Sequence, residues 1–262
     1  MPVVVGLAFT AVKATRLRRV DQIELGPDGV RENRRFYLID DRDQLVNGKR
    51  VGELQQVIAD YSEAERRLRL DLPDGQVIED EIRHAGLVTT KFFSRAATGQ
   101  LVDGPWSAAL SDCLGRHLRL VEAGDTAVDR GSQGAVSLIS RASLERLGDA
   151  RDGDCRSIDV RRFRMLIEID GVEAHAEDRW VGREVRLGKA KVEFGGHLGR
   201  CVITTRDPDT GVVDLPTLKM LGSYRLDLDT TEPLAFGVHG RVLEPGAVRL
   251  GDPVTPMDSV PE

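Results

Sequence analysis

Short apolar or alternating segments recur along the whole chain, separated by Gly, Pro, Asp and Asn. They are Val3–Phe9, Val20–Leu25, Phe36–Asp40, Arg67–Leu72, Val77–Glu79, Leu118–Glu122, Ala135–Ile139, Arg164–Ile169, Ala190–Phe194, Val202–Thr205 and Ala235–Leu243. Arg67–Leu72 alternates strictly, the period of a half-buried strand, and Pro73-Asp74-Gly75 supplies a turn into Val77–Glu79, so a hairpin is expected there. Helical patterns are few: Ser107–Leu114 and Ser140–Leu147 open on a capping serine, and Pro216–Leu221 opens on a proline suited to a first turn. The chain therefore reads as mainly β, a β-rich α+β protein of barrels or sandwiches with a few helices.

At 262 residues there is room for one large or two modest units. The expected division is residues 1–100 and 101–262, and Ala96–Pro105 is the candidate boundary between two packed β-rich halves. An apolar content of 40% excludes disorder, and no apolar run approaches the roughly 18 residues of a spanning helix. A net charge of -6 argues against sequence-independent nucleic-acid binding. No basic stretch followed by an apolar run and a cleavage site opens the sequence, which points to a cytoplasmic, reduced protein. Three scattered cysteines make neither a disulfide framework, a cysteine-only zinc site nor an iron–sulfur cluster. No dinucleotide or P-loop fingerprint is present.

The most informative stretch is Gly199–Gly211. An isolated cysteine is ordinarily a small core residue, but Arg200 adjoins Cys201, and a neighbouring cation favours the thiolate that ligates metals or attacks electrophiles. Asp207-Pro208-Asp209-Thr210-Gly211 is a turn signature, so Cys201 is expected to start a short strand. Cys113 falls in an apolar helical pattern and reads as core; Cys155 sits among Asp152, Asp154 and Arg156 and reads as incidental. Arg161-Arg162-Phe163-Arg164 reads as a solvated run with Asp152, Asp154 and Asp159 to neutralise it, although Arg164 stands at a strand entrance. His84, His117, His175 and His197 lack metal-ligand spacing, while His239 is a candidate proton carrier at a site.

Arg200–Gly211 resembles the signature of the MOSC family, the domain named for the C-terminal part of molybdenum cofactor sulfurase, matching its Arg-Cys-x-x-Thr-Thr-x-Asp-Pro-x-Thr-Gly throughout. The likeness extends to Ala176-Glu177-Asp178-x-Trp180, Ser223-Tyr224-Arg225, Phe236-Gly237 and Pro245–Val254, and more weakly to Val12-Lys13 and Asn33–Asp40, which resemble the N-terminal MOSC β-barrel domain. The resemblance implies an N-terminal β-barrel-like domain packed on a C-terminal MOSC β-barrel, with the cofactor in the cleft between them. It also implies a molybdopterin-type molybdenum cofactor, with Cys201 as metal ligand and catalytic residue and with Lys13, Arg34, Arg164 and Arg200 as cofactor-binding cations. Haem, an iron–sulfur cluster and pyridoxal phosphate are not expected. The implied activity is that of the amidoxime-reducing group, removal of oxygen from small N-hydroxylated compounds, with electrons from an external ferredoxin- or cytochrome-type donor. The alternative is a sulfur-carrier or cofactor-delivery protein holding a persulfide on Cys201. Relatives have Arg-Pro-Asn where this chain has Arg164-Met165-Leu166, and Ser, an acid and Tyr where it has Ala14, Asn33 and His239.

Overall fold

The computed structural model describes residues 1–92, 95–124, 131–150 and 157–257. It is mostly strand, in an eight-stranded, a five-stranded, a three-stranded and a two-stranded sheet, with three α-helices among the described residues. The large sheet runs in the order Val254–Pro256, Glu184–Leu187, Ala190–His197, Val238–Glu244, Val136–Ser140, Ile167–Asp170, Val3–Phe9 and Arg18–Arg19. Every named pairing in it is antiparallel except that of Val136–Ser140 with Ile167–Asp170. A single bridge between Val3 and Pro253, with Val4 N–H donating to the Asp252 carbonyl at 2.9 Å, brings the first strand back to the opposite end of the ladder. Inside this sheet Leu7, Ile167, Val192, Phe194 and Val238 make one apolar core.

The second core lies under the smaller sheets. Phe36–Ile39 is buried at every position between Leu45–Val46 and Arg119–Ala123, and the sheet continues through Arg95–Asp103 to Arg83–Phe92. The expected hairpin forms as Arg67–Asp71 against Val77–Glu81, with Leu68 and Leu70 buried and Arg67 and Arg69 exposed, as the alternation requires. Trp106 fills the space beneath it and donates its indole N–H to the Leu68 carbonyl at 3.0 Å.

The helices begin close to the expected places, at Trp106–Leu114, Arg141–Asp149 and Thr217–Gly222. Ser140 is the N-cap of the second and accepts from Ser143 N–H. Pro216 is the cap of the third and precedes its first turn. Cys113 is half-buried against the second core, while Cys155, Asp152 and Asp154 lie outside the described residues.

Two expectations need correction. Val202–Thr205 is not a strand but a 3-10 turn with Cys201 as its N-cap, because Thr204 N–H and hydroxyl both bond back to the Cys201 carbonyl. Arg164 does not open a strand; it caps the 3-10 turn Val160–Phe163 with φ of 54°, and the strand begins at Ile167. Arg95–Asp103, which covers most of the candidate boundary Ala96–Pro105, is a strand paired on both sides.

Candidate functional site

The register of the first strand assembles the site. Val3–Phe9 runs antiparallel to Ile167–Asp170 with Leu7 opposite Ile167, so the chain leaving Phe9 passes the residues that enter the partner strand, 164–166. Ala8 N–H donates to the Leu166 carbonyl at 3.0 Å. The same exit segment then docks on the five-stranded sheet: Lys13 N–H donates to the Phe36 carbonyl, Phe36 N–H to Ala11, and Arg34 N–H to Thr10. Thr10 and Thr15, both fully buried, share a 2.6 Å hydroxyl hydrogen bond, and Thr15 also donates to the Val12 carbonyl, fixing the turn that carries Lys13. Lys13, Arg34 and Arg164 are thereby brought together from three distant parts of the sequence.

Cys201 arrives from the other side. Ala190–His197 ends at the same rim of the large sheet, Leu198 exchanges backbone hydrogen bonds with Phe236 and Gly237, and Arg200 N–H donates to Pro233. A cavity of about 520 Å³ results, lined by Lys13, Arg34, Lys49, Arg164, Arg200, Cys201 and His239, with apolar walls from Leu17, Phe163, Met165, Leu166, Leu198 and Ile203. All the site residues expected from the sequence line it. Lys49, which lines it too, was missed: a single lysine after Asn47-Gly48 carries no signal in sequence.

Ala14, Arg34 and Arg164, all lining this cavity, have φ values of 77°, 53° and 54°, a region that non-glycine residues enter rarely. The two arginines interlock. Arg34 Nη2 donates to the Arg164 carbonyl at 3.2 Å, and Arg164 Nη2 donates to the Thr15 carbonyl at 2.7 Å. Arg200 turns instead into the wall, donating to the carbonyls of Phe236 and Phe163 and to the Met165 sulfur. Its guanidinium braces the loop before the thiol. His239 bonds through Nδ1 to the Gln133 carbonyl at 3.1 Å, with Nδ1 as the donor because a carbonyl only accepts.

Behind Phe236 the remaining motif residues form a brace. Glu177, fully buried, accepts from Ser140 N–H at 3.1 Å and from the Ser143 hydroxyl at 2.7 Å. Asp178 pairs with Arg225 at 2.8 Å, and Arg225 also donates to the Ala235 carbonyl. His175 packs between Tyr224 and Phe236. Burial pushes its pKa down from 6.5 to about 4, the Arg225 and Arg146 cations adding to the effect and Asp178 opposing it. Between pH 6.5 and pH 4 the unfolded chain thus takes up a proton that the folded chain refuses, and stability falls as pH falls through that window. The expected loss on unfolding curves is on the order of 2 kcal/mol. His175→Asn, which tolerates the residue's φ of 63°, should flatten the curve relative to the parent. An unchanged slope in that variant would remove His175 as its source.

The other histidines have ordinary partners: His84 with Glu122, His117 with Asp41, and His197 3.7 Å from Asp178. Among the described residues no three His, Cys, Asp or Glu side chains gather as a metal site. A metal in this cavity would have Cys201 as its protein ligand and take its other donors from a cofactor. A thiol facing a clamp of cations suits a group that carries both a soft metal and a phosphate.

The MOSC domain model matches residues 117–255, just over half of the chain. The chain belongs to the MOSC family. Arg164, Arg200 and Cys201 lie within the matched MOSC region; Lys13, Arg34 and Lys49 come from outside it. The mitochondrial amidoxime reducing component 2 of Rattus norvegicus is 37% identical over 129 residues, 47% of this chain and 36% of that protein. The mitochondrial amidoxime-reducing component 1 of Mus musculus is 37% identical over 123 residues, 45% of this chain and 35% of that protein. The match to this MOSC chain thus spans about a third of those relatives' length. Among solved structures, the YUAD protein from Bacillus subtilis is similar with a TM-score of 0.44 and 11% identity, covering 98% of this chain and 96% of that one. None of the described helices is long and apolar enough to cross a membrane.

Proposed function

We propose that this cavity binds a molybdenum cofactor and that the chain reduces small N-hydroxylated compounds with electrons from a separate donor protein. The observation that carries the reading is the convergence of Cys201 with Lys13, Arg34 and Arg164 on one cavity. When bound, the cofactor supplies two-electron redox chemistry with an acceptor for the substrate oxygen. Each turnover consumes two electrons and two protons and releases water.

The chain's own residues have separable tasks. Cys201 offers a soft thiolate to the metal, a donor that hydroxyl and carboxylate side chains do not match. Lys13, Arg34 and Arg164 hold the phosphate of the pterin, the arginines through planar forks and the lysine as a point charge. Phe163, Met165, Leu166 and Leu198 exclude water from one side of the cavity. His239 stands as the group able to take and return a proton at the cavity wall. The electron donor is expected outside the chain, because the sequence holds neither four cysteines for an iron–sulfur cluster nor a dinucleotide fingerprint.

Protein made in a cofactor-competent host should carry molybdenum close to one atom per chain. It should reduce an N-hydroxylated amidine with an artificial low-potential reductant, and not with NADH alone. Molybdenum and sulfane sulfur measured on one sample decide between the two functional classes. Sulfane sulfur on Cys201 without molybdenum would replace this reading with that of a sulfur carrier.

A further inference from the structure

We infer that Asp209 is a positioning residue, the hub of an ion-pair network that fixes the cationic clamp against the Cys201 thiol. The inference rests on the site described above and adds residues that do not line the cavity: Asp209, Arg161 and Arg16 all stand outside its wall.

Three of the chain segments that carry the site each send one residue to this hub. Arg16 follows Lys13 by three positions, Arg161 precedes Arg164 by three, and Asp209 lies on the turn that leaves the Cys201 motif. Arg161 clasps Asp209 through two parallel bonds, Nη1 to Oδ1 and Nη2 to Oδ2, both 2.8 Å. Arg16 Nη2 donates to the Asp209 carbonyl at 2.7 Å, its Nε lies 3.4 Å from the Asp209 carboxylate, and the same Nε donates to the Gln55 carbonyl at 3.0 Å. Asp159 holds the far side of Arg161, so that guanidinium is engaged on two edges and has little freedom to swing. Hydrogen bonds from Arg161 hold the Asp209 carboxyl below the usual carboxylate range, against the opposing effect of its burial.

The turn bearing Asp209 is itself pre-formed. Asp207 Oδ1 accepts from Asp209 N–H, from Thr210 N–H and from the Thr210 hydroxyl. Gly211, at φ of 76°, brings its backbone so close to Gly52 that a β-carbon there would lie 2.0 Å from the Gly52 carbonyl oxygen. Arg206 completes the seam by donating to the Gly211 and Lys49 carbonyls. The turn is thus wedged against residues 49–56 on one side and held by Arg161 on the other. Loss of the Asp209 charge frees the two walls to separate without removing any group that touches a ligand.

A second fork provides the control. Arg162 clasps Asp214 through two 2.7 Å bonds, joining the same two C-terminal segments without reaching the N-terminal one. Four proteins are compared in a Cys113→Ser/Cys155→Ser background: the parent, Asp209→Asn, Asp209→Glu and Asp214→Asn. Two readouts are taken, the molybdenum retained after buffer exchange and the rate at which iodoacetamide alkylates Cys201 in the cofactor-free protein. Asp209→Asn should alkylate at least threefold faster and retain less than half of the parent's molybdenum, at a melting temperature within a few degrees of the parent. Asp209→Glu should recover most of both, and Asp214→Asn should stay at parent values. Equal change in Asp214→Asn, or parent-like alkylation in Asp209→Asn, overturns the assignment. The alkylation arm needs no cofactor, so it decides the role of Asp209 even if the parent proves to hold no molybdenum.

Discussion

Cys201→Ser should lose reductant-driven turnover of an N-hydroxylated substrate by at least about a hundredfold while folding normally. The substitution changes a single atom, and the backbone around it is held by other bonds. Thr204 secures the Cys201 carbonyl through N–H and hydroxyl, Leu198 and Phe236 bond across the loop, and Arg200 pins the loop to Phe163 and Phe236. A serine hydroxyl stays protonated at neutral pH and is a hard donor, so it cannot stand in for a thiolate at a soft metal. Retained molybdenum should fall only in part, because Lys13, Arg34 and Arg164 still line the cavity and would hold the phosphate of the proposed cofactor. Cys113→Ser should leave turnover unchanged, since that residue packs against the second apolar core away from the cavity. Elemental analysis, a melting curve and a viologen-coupled assay on the same preparations separate these effects. Full turnover in Cys201→Ser would end the proposed chemistry.

Much of the fold can be read from local pattern where local pattern decides the structure. Val3–Phe9 is a strand over its whole expected length, and Arg67–Leu72 buries the residues its alternation assigns to the core. What the sequence conceals is pairing. Nothing in Val3–Phe9 announces Ile167–Asp170 as its partner, yet that register puts Lys13 beside Arg164. Arg83–Phe92 and Arg95–Asp103 escape notice because neither alternates cleanly; the long ladder between them supplies what their composition lacks.

The Cys201 motif misleads in the opposite direction. Val202-Ile203-Thr204-Thr205 is rich in β-branched residues and looks like a strand, but the two threonine hydroxyls bond back to the carbonyls of Cys201 and Val202 and close a 3-10 turn. The candidate site was legible through its motif for Cys201 and Arg164, and through the weaker N-terminal likeness for Lys13 and Arg34. Lys49 and the Asp209 hub were not, since their roles come from groups that meet only in the folded chain: Asp209 is 48 residues from Arg161 and 193 from Arg16.

The second large effect expected is on cofactor retention in Arg164→Ala. A charge-assisted contact to phosphate contributes roughly 1.5–3 kcal/mol, which corresponds to a ten- to hundredfold weaker hold. Arg164 also donates to the Thr15 carbonyl, so part of the loss must be separated from destabilisation of the Lys13 turn. Backbone strain does not change between the two proteins, because alanine meets the same cost as arginine at φ of 54°. Arg164→Lys sharpens the comparison: it keeps the charge but loses the planar fork, and should retain an intermediate amount of molybdenum. Raising ionic strength should weaken the parent's hold more than that of Arg164→Ala, because the variant has one fewer cation to screen. Equal molybdenum content and equal salt dependence in parent and Arg164→Ala, at matched melting temperature, would remove Arg164 from the clamp and leave Lys13 and Arg34 to account for it.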